Sequence, residues 1–288
     1  MIKYPYTRRS VEGPNKGKVI FTIKRDWVVL IVALGILATV PTVMDSNFLL
    51  LFLIFVLGYG TLALAGFGST VLILSAASVF MPVKELMAPI IVLNVTTIIG
   101  LVVTHPRELD FPLIKSIVFP RFLLMFPIGF AIYQAFSPDF LRLLLALLVI
   151  GMALHSLYLA CFRPEVERGK ASVFWLYLAG LVHGLFVSGG PFLVYYTSRL
   201  NLSKEKFRIS LLFIWLALDF VLLAGYAAFG QITIAHLLLA AKLLPAALVG
   251  LVIGGRLQHR IPQAKFLLFI DGLLLFLGVV LLTVFFRR

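Results

Sequence analysis

Hydrophobic positions along the chain fall into long runs that short polar segments separate. Each run has about the 17–25 residues that a helix needs to cross a lipid bilayer. The pattern therefore predicts an all-α, polytopic membrane protein. The clearest runs are Trp27–Val43, Leu86–Thr104, Leu113–Tyr133, Phe140–Phe162, Ser210–Phe229, Ile234–Gly255 and Ala264–Phe286.

Two further apolar stretches, Phe48–Met81 and Val173–Leu200, are interrupted by glycines. As one helix the first would measure about 51 Å, against a hydrocarbon core of about 30 Å. Glycine tolerates non-helical torsions, so we expect breaks at Gly66-Phe67-Gly68-Ser69-Thr70 and at Ser188-Gly189-Gly190-Pro191. Each break should lead into a short helix, which either crosses the membrane or re-enters it.

The chain also repeats itself, because residues 48–162 align with residues 172–286 at offsets of 121 to 124. Matched pairs include Gly58 with Gly180, Gly68 with Gly190, Gly129 with Gly250, Pro138 with Pro262, and Arg121 with Lys242. An ordered series of matches is typical of the duplicated units of transporters. We predict two homologous halves, in inverted orientation if each half crosses the membrane an odd number of times. The predicted organisation is a basic tail (1–26), an extra transmembrane helix (27–47), a first repeat (48–162), a cytoplasmic linker (163–171) and a second repeat (172–288).

Composition supports lipid as the solvent, since 61% of the residues are hydrophobic and 13% are charged. Soluble domains carry about 25% charged residues. A net charge of +13 invites a nucleic-acid partner, but seven of the 25 Lys and Arg residues lie in the first 26 positions and most others lie between apolar runs. This is the positive-inside pattern, which predicts a cytoplasmic N-terminus, the bilayer as partner and no nucleic acid. The single cysteine, Cys161, excludes an intrachain disulfide and a cysteine-based metal site.

The two breaks are the first candidate binding site. A helix that starts inside the membrane presents free N–H groups and the positive end of its dipole, and both favour an anion. The alternative is that these glycines only allow close helix packing. The candidate substrate-binding residues here are Gly66, Gly68, Ser69 and Thr70 in the first half, Ser188, Gly189 and Gly190 in the second, and Asn94 on the next span.

Arg121 and Lys242 are the candidate cations, because each falls within an apolar run and they match each other in the repeat. A cation at the bilayer centre costs at least about 2.5–3.5 kcal/mol, which favours a function. We expect both to bind the anion. Alternatively, they form structural ion pairs with Asp219 or Asp271.

Asp219 and His183 are candidates for a coupled proton. Asp219 lies within an apolar run and His183 lies one turn before the second break. An intramembrane carboxylate is a functional candidate by default, and histidine titrates near neutral pH. A purely structural role for either side chain remains the alternative.

At these breaks the chain resembles the TauE/SafE sulfite exporter family. The matching residues are Gly58, Gly66-Phe67-Gly68-Ser69, Gly180, Gly184 and Ser188-Gly189-Gly190-Pro191, and the resemblance covers roughly residues 48–286. It implies a bacterial cytoplasmic membrane protein that exports a small sulfur-containing anion, such as sulfite or an organosulfonate like sulfoacetate.

The function predicted is secondary transport by alternating access, without cofactor, metal or enzymatic activity. No zinc-protease, nucleophile-elbow or Walker A motif is present in the sequence. The alternatives are a carrier for another small metabolite, a carboxylate or an amine, and a membrane-embedded enzyme or assembly factor. A homodimeric assembly is left open.

Overall fold

The computed structural model describes residues 46–103, 109, 111–117, 121–162, 172–197, 204–258, 260 and 263–287. Across these ranges the chain is helical and contains no strand. The predicted basic tail, the predicted first helix Trp27–Val43 and the linker 163–171 lie outside the described residues.

The first half contains α1 (Ser46–Ala65), α2 (Ser69–Ala77), α3 (Val83–Val103), α4 (Phe111–Ile117), α5 (Leu123–Ala135) and α6 (Pro138–Phe162). The second contains α7 (Phe174–Phe186), α8 (Gly190–Thr197), α9 (Lys204–Ala228), α10 (Ile234–Leu257) and α11 (Gln263–Phe286). Within the described ranges, six helices are long and apolar enough to span a membrane: α1, α3, α6, α9, α10 and α11. The prediction of an all-α, multi-pass membrane protein is therefore confirmed.

The predicted breaks are present in both halves, but their backbones differ. In the first, Gly66 and Gly68 take φ values of 81° and 91°, which suit glycine. In the second, the left-handed residue is Val187, with φ 54°. Gly189 is instead required for close packing, because an added Cβ would lie 2.2 Å from the carbonyl oxygen of Ala179.

The predicted span Leu113–Tyr133 is described in two parts, which contain α4 and α5. Arg121 lies in a π-helical turn that leads into α5. Its partner in the repeat, Lys242, lies inside α10.

Most of the extensive helix contacts recur when the two halves are exchanged. Helix α1 packs on α10, and its counterpart α7 packs on α5. Each first helix also contacts its own short helix, α1 with α2 and α7 with α8. The remaining extensive contacts join α3 with α9 and α6 with α11, which are counterparts, and α3 with α10, which are not. Apart from the last contact, this is the pattern expected of a duplicated unit.

Glycines allow backbone contact between helices of different halves, α1 with α10 and α5 with α7. An added Cβ at Gly250 of α10 would lie 2.3 Å from the carbonyl oxygen of Val56, and one at Gly129 of α5 would lie 2.1 Å from that of Leu181. The matched pair Gly129 and Gly250 therefore permits close helix packing, as small residues do in membrane proteins.

The contacts also give helix directions. Gly250 meets Val56 and Gly254 meets Gly60, so α1 and α10 run parallel. Between α6 and α11 the order reverses. The Ser156 hydroxyl donates to Asp271 Oδ2 at 2.7 Å, whereas the later Gly278 faces the earlier Ile150. Helices α6 and α11 therefore run antiparallel, although they occupy equivalent positions in the two halves.

Candidate functional site

The two breaks meet at one small cavity. They are in direct contact, since an added Cβ at Gly190 would lie 3.1 Å from Cβ of Phe67. Apolar residues form much of the wall, among them Leu62, Ile98 and Trp215. The other lining residues are Gly68, Ser69, Thr70, Asn94, His183, Ser188, Gly190 and Asp219.

Two short helices begin at this cavity. In α2 the first backbone bond back to the break runs from the Leu72 N–H to the Gly68 carbonyl, and Gly68 provides no side-chain cap. The earlier N–H groups of α2, beginning at Ser69, therefore have no intrahelical acceptor. In α8 the corresponding bond runs from the Leu193 N–H to the Gly189 carbonyl. Both helix starts thus place backbone N–H groups without an intrahelical acceptor beside the cavity, although Pro191 has no N–H and leaves α8 fewer of them than α2.

Asn94 is held by side chains from two other helices. Tyr59 Oη donates to Asn94 Oδ1 at 2.9 Å, and Asn94 Nδ2 donates to Thr70 Oγ1 at 3.4 Å. Ser188 Oγ donates to the carbonyl of Phe186 at 2.6 Å, which fixes the hydroxyl within the second break. These bonds set the positions of the neutral polar groups on the wall.

His183 and Asp219 face each other inside the cavity. Nε2 of His183 lies 3.3 Å from Oδ1 of Asp219, and the two residues are 1% and 0% exposed. The angles at this contact do not make a hydrogen bond, and no other described polar atom pairs with either side chain. The imidazole is enclosed by rings, with Trp215 and Phe126 stacked at 5.3 Å and 6.0 Å between centroids.

Trp215 is one of the lining residues that sequence reasoning missed. Its Nε1 donates to the carbonyl of Gly66 at 3.3 Å, so it connects α9 to the first break while its ring covers His183. The only signal in the sequence is an indole N–H inside an apolar run, which needs a partner when buried.

The predicted site residues divide into three groups. Eight line the cavity: Gly68, Ser69, Thr70, Asn94, His183, Ser188, Gly190 and Asp219. Gly66 and Gly189 belong to the breaks but do not line it. Arg121 and Lys242 do not line it either, and their role in anion binding stays a prediction.

The ion pairs considered for Arg121 and Lys242 are not formed among the described residues. Asp219 contacts His183, and Asp271 accepts a hydrogen bond from Ser156. In the same part of the chain, no cluster of three His, Cys, Asp or Glu side chains could hold a metal ion.

Comparison with known proteins gives one family. The model of the family described as Sulfite exporter TauE/SafE matches residues 50–281, which is most of the chain. No curated protein and no solved structure matches the chain.

Proposed function

Because the chain belongs to the TauE/SafE sulfite exporter family, whose members are expected to export anions across a membrane, we propose that it exports a small sulfur-containing anion. The substrates proposed are sulfite and organosulfonates such as sulfoacetate. The protein acts as a secondary transporter and not as an enzyme.

The observation that carries this proposal is the meeting of two helix breaks, one from each half, at one cavity. Helix starts favour anions, because their free N–H groups and dipoles present positive charge. The hydroxyl of Ser69 and the amide of Asn94 add neutral polar groups to the same wall. A small oxyanion would lie between α2 and α8 and accept hydrogen bonds from both.

We also propose that the halves form an inverted repeat and that the site opens alternately to each side. The antiparallel course of α6 and α11 supports this, because equivalent helices of an inverted repeat point in opposite directions. The proposed location is a bacterial cytoplasmic membrane with the N-terminus in the cytoplasm. Homodimer formation stays a prediction, and the molecular mass of the purified protein in detergent tests it.

One observation favours a second candidate, a carrier for a small amine. Asp219 lies in the cavity, while the described lining contains no Lys or Arg. An ionised carboxylate would attract a cation. The family membership and the two helix starts outweigh this single residue, but the experiment must separate the two functions.

The test is thermal unfolding of the purified protein with sulfite, sulfoacetate, sulfate, acetate or methylammonium. An anion at 100 times its Kd should raise the free energy of unfolding by about 2.7 kcal/mol. We expect stabilisation by sulfite or sulfoacetate and none by acetate or methylammonium.

The variant Asn94→Asp adds a negative charge to the cavity wall and should remove the stabilisation by anions. Gln134→Glu is the matched control, because it makes the same amide-to-carboxylate change at a residue that does not line the cavity. Stabilisation by methylammonium, strengthened in Asn94→Asp, would establish the amine carrier instead. No response to any anion would refute the export proposal.

A further inference from the structure

The charge of the cavity rests on one pair of side chains. Asp219 and His183 are the acidic and basic groups in its described lining, which contains no Lys or Arg. With Asp219 ionised and His183 neutral, the cavity would present a negative charge to an incoming anion. Buried charges are weakly screened, so this state opposes anion binding.

The His183–Asp219 pair lies away from bulk water. Both residues are almost fully buried, and Nε2 of His183 faces Oδ1 of Asp219 at 3.3 Å without another partner. One added proton, placed on either side chain, removes the net negative charge of the pair. A second would make the pair positive.

Among the described residues, no other charged side chain lines the cavity. Arg208 of α9 packs against Gly66 of the first break and donates a hydrogen bond to Gln258, but it does not line the cavity. The phenol of Tyr59 on α1 lies within electrostatic range of Asp219, but it is neutral when protonated and it donates to Asn94. Helix α5 faces His183 with the rings of Phe122 and Phe126. Helices α2, α3 and α8 contribute only uncharged residues to the lining, and Arg121 on the approach to α5 and Lys242 on α10 do not reach it.

From this arrangement we infer that the anion and a proton occupy the cavity together, with the proton on the His183–Asp219 pair. This inference rests on the proposed function and defines its coupling. The proton and the anion favour each other's binding, because coupling between two sites is reciprocal. The transported unit is the anion plus a proton, so the protein is a proton–anion symporter. A monoanion then crosses the membrane without net charge.

The experiment is calorimetric titration of purified protein with methanesulfonate, a small sulfonate whose charge stays constant around neutral pH. Titrations in two buffers of different ionisation enthalpy give the number of protons taken up per bound anion. We expect uptake of up to one proton. At pH values where one full proton is taken up per bound anion, Kd should fall about tenfold for each unit decrease in pH.

The decisive variant is the double substitution His183→Gln with Asp219→Asn, which makes the cavity neutral at every pH. It should still bind methanesulfonate, with no proton uptake and a Kd that does not depend on pH. His155→Gln is the matched control, because His155 stacks on Trp175 outside the cavity. This control should keep the proton uptake of the unaltered protein.

Flux gives an independent readout. In vesicles, an imposed pH gradient should drive methanesulfonate towards the alkaline side against its own gradient, and the double variant should lose this response. Anion binding without proton uptake, in the unaltered protein at any pH, would overturn the coupling and leave the export proposal intact. Absence of anion binding would overturn both. Binding of methylammonium with release of a proton would replace both by the amine carrier.

Discussion

At the scale of single residues, the wall of the cavity is polar but carries few charges. Its neutral donors are fixed by bonds to other elements, as Asn94 is by Tyr59 and Thr70. The two cations that the sequence predicts to hold the anion, Arg121 and Lys242, lie outside the lining. An anion bound in this cavity would therefore meet hydrogen-bond donors directly, and the two cations would act on it only from a distance.

The first prediction concerns these two cations. Arg121→Ala and Lys242→Ala should each change the Kd for methanesulfonate by less than about threefold, because distant charges interact weakly through a partly polar medium. Calorimetric titration measures it, with Asn94→Asp as the variant expected to lose binding. A loss of tenfold or more in either alanine variant would instead support the assignment made from the sequence, in which both residues hold the anion.

The sequence identified most of the lining because its signals are local. A glycine cluster inside an overlong apolar run marks a break, and small polar residues beside it, such as Ser69 and Ser188, necessarily lie at that break. Two contributions could not be foreseen. Val187 adopts a left-handed conformation just before Ser188-Gly189-Gly190, and Trp215 comes from a distant helix. Both depend on tertiary contacts that local patterns do not encode.

At the scale of helices, the closest contacts depend on the absence of side chains. In a bilayer the lipid is as apolar as the helices, so their association relies on van der Waals contact at short range. Gly250 lets α10 approach the backbone of α1, and Gly129 lets α5 approach that of α7. A methyl group at either position would meet a backbone carbonyl, which cannot move aside alone.

The second prediction concerns the stability of variants at these glycines. Gly250→Ala and Gly129→Ala should each destabilise the protein by about 1–3 kcal/mol, the usual cost of overpacking. Gly151→Ala and Gly272→Ala are matched controls, since an added Cβ there meets nothing within 4 Å and alanine favours helix. Unfolding measured in detergent should show lower stability for Gly250→Ala and Gly129→Ala than for the two controls. Equal stability of all four variants would show that the two contacts contribute little.

The sequence predicts the positions of the helices along the chain far better than it predicts the contacts between them. Long apolar runs mark the spans, but both the lipid-facing and the protein-facing sides of such helices are apolar. Gly129 and Gly250 were visible as matched positions, yet the sequence did not reveal that each one packs against the first helix of the other half. The π-helical turn before α5 was also not predicted.

At the scale of the molecule, helices of the two predicted repeats pack against each other across the boundary between the repeats. Counterparts meet directly in the pairs α3–α9 and α6–α11, and the first helices cross over to the other half. Because α6 and α11 run antiparallel, their carboxyl ends point in opposite directions. In the proposed inverted repeat, these two ends lie on opposite sides of the membrane.

The third prediction uses the single cysteine of the chain. Cys161 lies near the end of α6, and Arg287 follows the end of α11. A membrane-impermeant maleimide should label Cys161 only from the cytoplasmic side. In a Cys161→Ser background, Arg287→Cys should react only from the opposite side. Labelling of both positions from one side would exclude the inverted repeat, and unreactive Cys161→Ser protein controls for background.

The crossing of α1 onto α10 and of α7 onto α5 bears on how such a protein can arise. Either half alone leaves its first helix without the helix on which it packs, and leaves the corresponding glycine surface exposed. A polypeptide with one half could restore these contacts by packing against a second copy of itself. We expect an ancestor of such a chain to have been a pair of identical subunits, which gene fusion then joined.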